Sequence, residues 1–127
     1  MKYYCDGSTY KNGQKGQDSS YIILKPSGKI IRKHLGNCSV NCAELRAIIH
    51  AFKICDLGEE IFSDSTICVN WINKPYKKNK RNAYLEPLIL EAQDLLHTKG
   101  LSLKYIRREF NLAGLELEEN PFYSSAY

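Results

Sequence analysis

Long apolar runs are missing from this chain: none approaches the roughly 18 residues of a membrane-spanning helix. The first residues lack the charged-then-apolar pattern of a secretory leader, which gives the expectation of a reducing, cytoplasmic setting. Cysteine usage agrees. The five cysteines are odd in number, and Cys38 and Cys42 have no second, distant Cys/His pair to complete a zinc-finger site. Most are therefore expected as small buried hydrophobes. No internal repeat or linker breaks the chain, so one domain over residues 1–127 is expected, with about 120–127 as a loose tail.

What is present is ordinary for a soluble globular protein, with 43% hydrophobic and 25% charged residues. Net charge is +4 and the isoelectric point about 8.8, too mildly basic to name a partner by itself. The distribution says more. Lys74, Lys77, Lys78, Lys80 and Arg81 crowd together beside Tyr76 and Tyr84. Such a cluster is either a solvated loop or a surface for a phosphate backbone.

Strand and turn signals dominate the first third. A β-prone run over Met1–Gly7 carries Asp6 to a turn, and a loop rich in Gly, Asn and Gln follows. Further strands are expected near Ser20–Lys25 and Lys29–Leu35, joined by Pro26-Ser27-Gly28. From Asn41 the period becomes helical through Leu45, Ile48, Ile49, Phe52 and Cys55, with Gly58 placed as a helix-ending glycine. Glu59–Ser63 predicts a short strand, Thr66–Ile72 a helix, Glu86–Thr98 another helix ended by Gly100, and Leu101–Arg107 a last strand. Asn111 is placed to cap a C-terminal helix through about Glu119. The order βββ-α-β-α-α-β-α is that of an α/β fold. The crossover through the first helix should set strand 59–63 parallel to strand one. Asp6 and Asp64 then share one sheet edge, and Glu44 sits in the first turn of the crossing helix.

Each carboxylate has a local explanation: Asp6-Gly7 as a turn, Glu44 as a capping-box partner of Asn41, Asp64 as a helix cap. Gathered at one place they repel one another unless a cation compensates, and oxygen donors suit a hard divalent ion, Mg²⁺ foremost. Two such ions about 3.5–4 Å apart can support phosphodiester cleavage.

Asp6-Gly7-Ser8 with Asn12-Gly13, Ser39-Val40-Asn41-Cys42-Ala43-Glu44-Leu45, and Ser63-Asp64-Ser65 resemble the signature blocks of type 1 ribonuclease H. Arg107-Arg108-Glu109-Phe110-Asn111-Leu112-Ala113 is similar to that family's closing block. The resemblance implies a ribonuclease H-like fold: a five-stranded mixed sheet, three strands antiparallel and two further strands, with helices on both faces. It implies a monomer that cleaves the RNA strand of RNA–DNA hybrids with two Mg²⁺ ions, Mn²⁺ being a possible substitute. By position, Asp6, Glu44 and Asp64 match the metal-binding carboxylates, Asn12 and Asn41 the minor-groove contacts, and Ser39 a hydroxyl on a DNA phosphate. Asn12 as a turn former and Asn41 as a helix cap stay open beside those roles.

Two departures stand out. The family's usual fourth carboxylate falls on Gly114, and a histidine common in the loop before the last helix is missing. Glu118, one turn on, leans toward that vacant place more than Glu116 does; both also suit a solvated acidic face. A non-catalytic nucleic-acid-binding domain of the same fold, or a DNA nuclease or resolvase, are the competing readings. Trp71 is either core or a platform beside the DNA strand.

Overall fold

The computed structural model describes residues 1–9 and 18–119, apart from the side chains of 117–119. Five strands form one mixed sheet in the order β3-β2-β1-β4-β5. They are β1 Lys2–Thr9, β2 Asp18–Leu24, β3 Ile30–Asn37, β4 Glu60–Ser63 and β5 Ser102–Tyr105. The first three are antiparallel, and β4 runs parallel to both β1 and β5. Helices are α1 Val40–Ile54, α2 Thr66–Asn73, α3 Glu86–Thr98 and α4 Leu112–Glu119. None among the described residues is long and apolar enough to cross a membrane.

Strand alternation sorts the core into two layers. Tyr3, Cys5, Tyr21 and Ile23 pack with Leu45, Ile48 and Phe52 of α1 and with Ile89 and Ala92 of α3. Ile22 faces the other way, onto Ala113 of α4, with Tyr4 and Leu24 beside it. The run Tyr21-Ile22-Ile23 is buried throughout because both faces of β2 are covered. All five cysteines are free thiols, and Cys5, Cys55 and Cys68 are buried.

Several local expectations shift. Strand β1 runs on to Thr9, so Asp6 lies within it and not at its end. What ends after Cys5 is its pairing with β4, the last pair being Cys5 with Ser63. Helix α1 stops at Ile54, and Gly58 belongs to the turn after it, with φ +75°. Gly100 does end α3: Leu101 N–H bonds to the Leu96 carbonyl and Gly100 N–H to that of His97, closing the last turn. The inward side of α3 is Ile89 and Ala92, with Leu88, Leu95 and Leu96 half-buried at its flanks. Strand β5 is shorter than the alternation suggested.

The basic loop is folded around one buried side chain. Asn82 is 3% exposed. Its Oδ1 accepts from the Tyr76 hydroxyl at 2.8 Å and from Asn79 N–H at 2.8 Å, and its Nδ2 donates to the Lys77 carbonyl at 3.1 Å. Asn79 Oδ1 accepts in turn from the backbone of Arg81 and Asn82.

Candidate metal centre

The β1–β4 pairing ends at Cys5 and Ser63, so the next residue on each strand, Asp6 and Asp64, emerges at the same sheet edge. Glu44 reaches them from α1. Carboxylate oxygens of the three residues lie within 4.8 Å of one another. Glu44 is 6% exposed and Asp6 9%, while Asp64 is half-buried.

The local alternatives for Glu44 and Asp64 fall away. Helix α1 is capped by Ser39, whose side chain accepts from Cys42 N–H, so Asn41 is inside the helix and Glu44 is in no capping box. Ser65 caps α2 by accepting from Cys68 N–H. Glu44 instead takes the backbone N–H of Gly7. That contact depends on Gly7 having no side chain: a Cβ there would stand 2.6 Å from both Ala43 C and Glu44 N.

Burial and mutual repulsion dominate the electrostatics. Desolvation first, then the charge of Asp64, pushes the Asp6 carboxyl up to about 7; a hydrogen bond with the Glu44 side chain and, less, the Arg108 guanidinium oppose this. Glu44 is driven well above the usual carboxylate range, again by burial and then by Asp6 and Asp64. A raised carboxyl pKa means the native state prefers the protonated form. That contribution to stability is full below the unfolded pKa of about 4 and is lost as pH rises through about 7. Metal-free protein is therefore expected to melt about 5 °C or more lower at pH 8 than at pH 5, with added Mg²⁺ reversing the loss at pH 8. Scanning calorimetry in chelator checks it; a flat profile would contradict the repulsion. Three hard oxygen donors whose mutual repulsion Arg108 offsets only slightly make a fitting set for a divalent metal.

Gly114 faces the same cluster from α4. A Cβ on it would lie 3.2 Å from Asp6 Oδ2 and 3.7 Å from Asp64 Oδ2. The buried Asn111 sets this placement, donating to the Cys5 carbonyl at 3.1 Å and accepting from Ala113 N–H at the start of α4. Glu116 is engaged elsewhere, with Arg32 at 2.7 Å. The side chain of Glu118 lies outside the described residues, as do all of Asn12 and the tail 120–127.

Ser39 Oγ, besides capping α1, lies 2.7 Å from the hydroxyl of Tyr84, a residue 61% exposed. Asn41 is half-buried one turn before Glu44. Sequence reasoning did not single out Asn82 or the Ser39–Tyr84 contact; the Asn79-x-x-Asn82 spacing of turn-forming residues was the available signal. Trp71 is half-buried against the core, and its carbonyl accepts from Gln93. None of the histidines joins the carboxylates: His50 bonds to Tyr21, His34 pairs with Asp18, and His97 is exposed on α3.

No curated protein sequence matches the chain. A ribonuclease H1 from the halophilic archaeon Halobacterium salinarum is similar in structure, with TM-score 0.69, 20% identity, and 91% of this chain and 92% of that one covered. LC11-RNase H1, isolated from compost by a metagenomic approach, gives TM-score 0.70 at 21% identity, over 91% of this chain and 90% of that one. Its complex with an RNA/DNA hybrid gives 0.68 at 22%, over 91% of each chain. At these identities the likeness fixes the fold. The sequence model of the RNase H family matches residues 1–107, from β1 through β5, and so includes all three carboxylates. By that match the chain belongs to the ribonuclease H family of enzymes.

Proposed function

We propose that the protein is a divalent-metal-dependent endoribonuclease that hydrolyses the RNA strand of RNA–DNA hybrids, acting as a monomer in the cytoplasm. The convergence of Asp6, Glu44 and Asp64 within 4.8 Å in a chain of this family carries the reading. The three would hold two metal ions, Mg²⁺ by preference; when bound, these supply an activated water and compensate charge on the leaving oxygen.

The chain's own residues do the positioning. Gly7 N–H fixes one Glu44 oxygen, which leaves the other for the site. Asp6 is held by the strand register and Asp64 by the start of α2. Ser39 and Tyr84 present paired hydroxyls at the N-terminus of α1, suited to a DNA phosphate. Asn41, with Asn12, would read the wide minor groove and its 2′-hydroxyls. The free thiols fit a reducing compartment.

The test is a labelled RNA–DNA hybrid with Mg²⁺ or Mn²⁺, set against duplex and branched DNA. Cut RNA in the hybrid alone supports the proposal. Binding without cleavage by folded protein at every metal concentration would instead favour a non-catalytic domain, and cutting of DNA a different nuclease. Gly114 supplies a second check. Gly114→Asp adds an oxygen donor beside Asp6 and Asp64, needing only a small turn of the Asp6 carboxylate. It is expected to lower the Mg²⁺ concentration for half-maximal cleavage by about tenfold; an unchanged metal dependence would show that the place is not a ligand position.

A further inference from the structure

A second site lies on the far side of α1. Arg46, His50 and Lys53 are turned about 180–240° around the helix from Glu44, and line a cleft of about 330 Å³ between α1, β3 and α3. That is the small-molecule end of ligand-site volumes. Its walls are of two kinds. Leu35, Ile49 and Leu88 give an apolar side. Lys33, Arg46 and Lys53 bring three cations against one carboxylate, Glu91, which is already held by Lys53 at 3.0 Å. Among the described residues no ion pair with Asp or Glu involves Lys33 or Arg46; Arg46 Nε donates to the Cys42 sulfur at 3.4 Å, and its side chain also engages the neutral thiol of Cys38.

The buried Tyr21 hydroxyl lies 2.6 Å from His50 Nδ1. Burial first, then Lys33 and Lys53, hold the His50 pKa below its ordinary value, so the ring is neutral at pH 7. With Nδ1 assigned as acceptor from the Tyr21 hydroxyl, the proton is on Nε2, an N–H for which the described residues supply no partner. Two cations with no carboxylate partner among the described residues, and an imidazole N–H, beside an apolar wall are complementary to an anion carried on an apolar or aromatic body.

We propose that this cleft binds a small organic phosphate of mononucleotide size, its phosphate between Lys33 and Arg46 and its ring against Leu35, Ile49 and Leu88. The site is separate from the carboxylate cluster and does not depend on the activity proposed for it.

Isothermal titration of the full chain with adenosine 5′-monophosphate, in chelator so that no metal bridges phosphate to the carboxylates, tests this. Saturable binding with Kd near about 1 mM or tighter is expected, weakened about tenfold or more by Arg46→Ala or Lys33→Gln, each at an exposed position. Asp64→Asn should leave it unchanged. Absence of binding, or adenosine binding as well as the nucleotide, overturns the phosphate assignment. Inorganic phosphate binding as tightly as the nucleotide overturns the apolar half. If the two variants weaken hybrid binding but not nucleotide binding, the cations belong to a nucleic-acid path and the cleft is not a separate site.

Discussion

Asp64→Asn is expected to lower cleavage of an RNA–DNA hybrid by roughly a thousand-fold, about 4 kcal/mol of barrier. The substitution keeps the shape of the side chain while removing one of the three anionic oxygen donors. It also removes a source of the repulsion that lifts Asp6 and Glu44. The second consequence makes the result diagnostic. Metal-free Asp64→Asn protein should melt higher than the parent at pH 8, because fewer buried charges oppose one another. Loss of cleavage together with gained stability separates removal of a ligand from damage to the fold. A variant as active as the parent would refute the site.

Gly7→Ala is expected to cost about 3 kcal/mol or more and to lower the melting temperature by about 10 °C. The added methyl would press on the backbone of α1, 2.6 Å from Ala43 C and 2.9 Å from its oxygen, where no side chain can rotate aside. Helix α1 would have to lift from β1, loosening Leu45, Ile48 and Phe52 and pulling Glu44 from the Gly7 N–H. Cleavage should fall with stability. Gly58→Ala is the control: φ is +75° there but a Cβ would meet nothing within 4 Å, so only the left-handed backbone opposes it, at about 1–2 kcal/mol. Denaturant melts of both variants decide whether close approach or backbone conformation governs; equal losses would defeat the argument.

The antiparallel meander, the parallel place of β4 beside β1 and the convergence of Asp6 with Asp64 were readable in advance, because a helical crossover favours parallel pairing and so brings the residues that follow the paired stretch together; the place of β5 beside β4 was not. Local signals were less decisive where neighbouring residues compete for one role. Ser39 and Asn41 both suit a cap, as do Asp64 and Ser65, and only the folded backbone chose the serines. Contacts across the whole chain left no trace in spacing. The Asn111 bond to Cys5, 106 residues away, is one; the Glu44 bond to Gly7 is another. Gly114 was visible as a departure, but its distance to Asp6 came from the way α4 lies on the second face of the sheet.

The knot of bonds at Asn82 has a kinetic meaning. Lys74, Lys77, Lys78, Lys80 and Arg81 project from a backbone already fixed by Tyr76, Asn79 and Asn82, and Lys78 is further steadied by Glu86 at 3.6 Å. A polyanion docking there would not have to order the loop, so little conformational entropy opposes the encounter. Association through this surface should then be fast and governed by long-range attraction, its on-rate falling with ionic strength, while the heat of binding carries little signature of folding. Cutting the tie with Asn82→Ala, with every cation left in place, would turn the same charges into a disordered segment that must be gathered on contact.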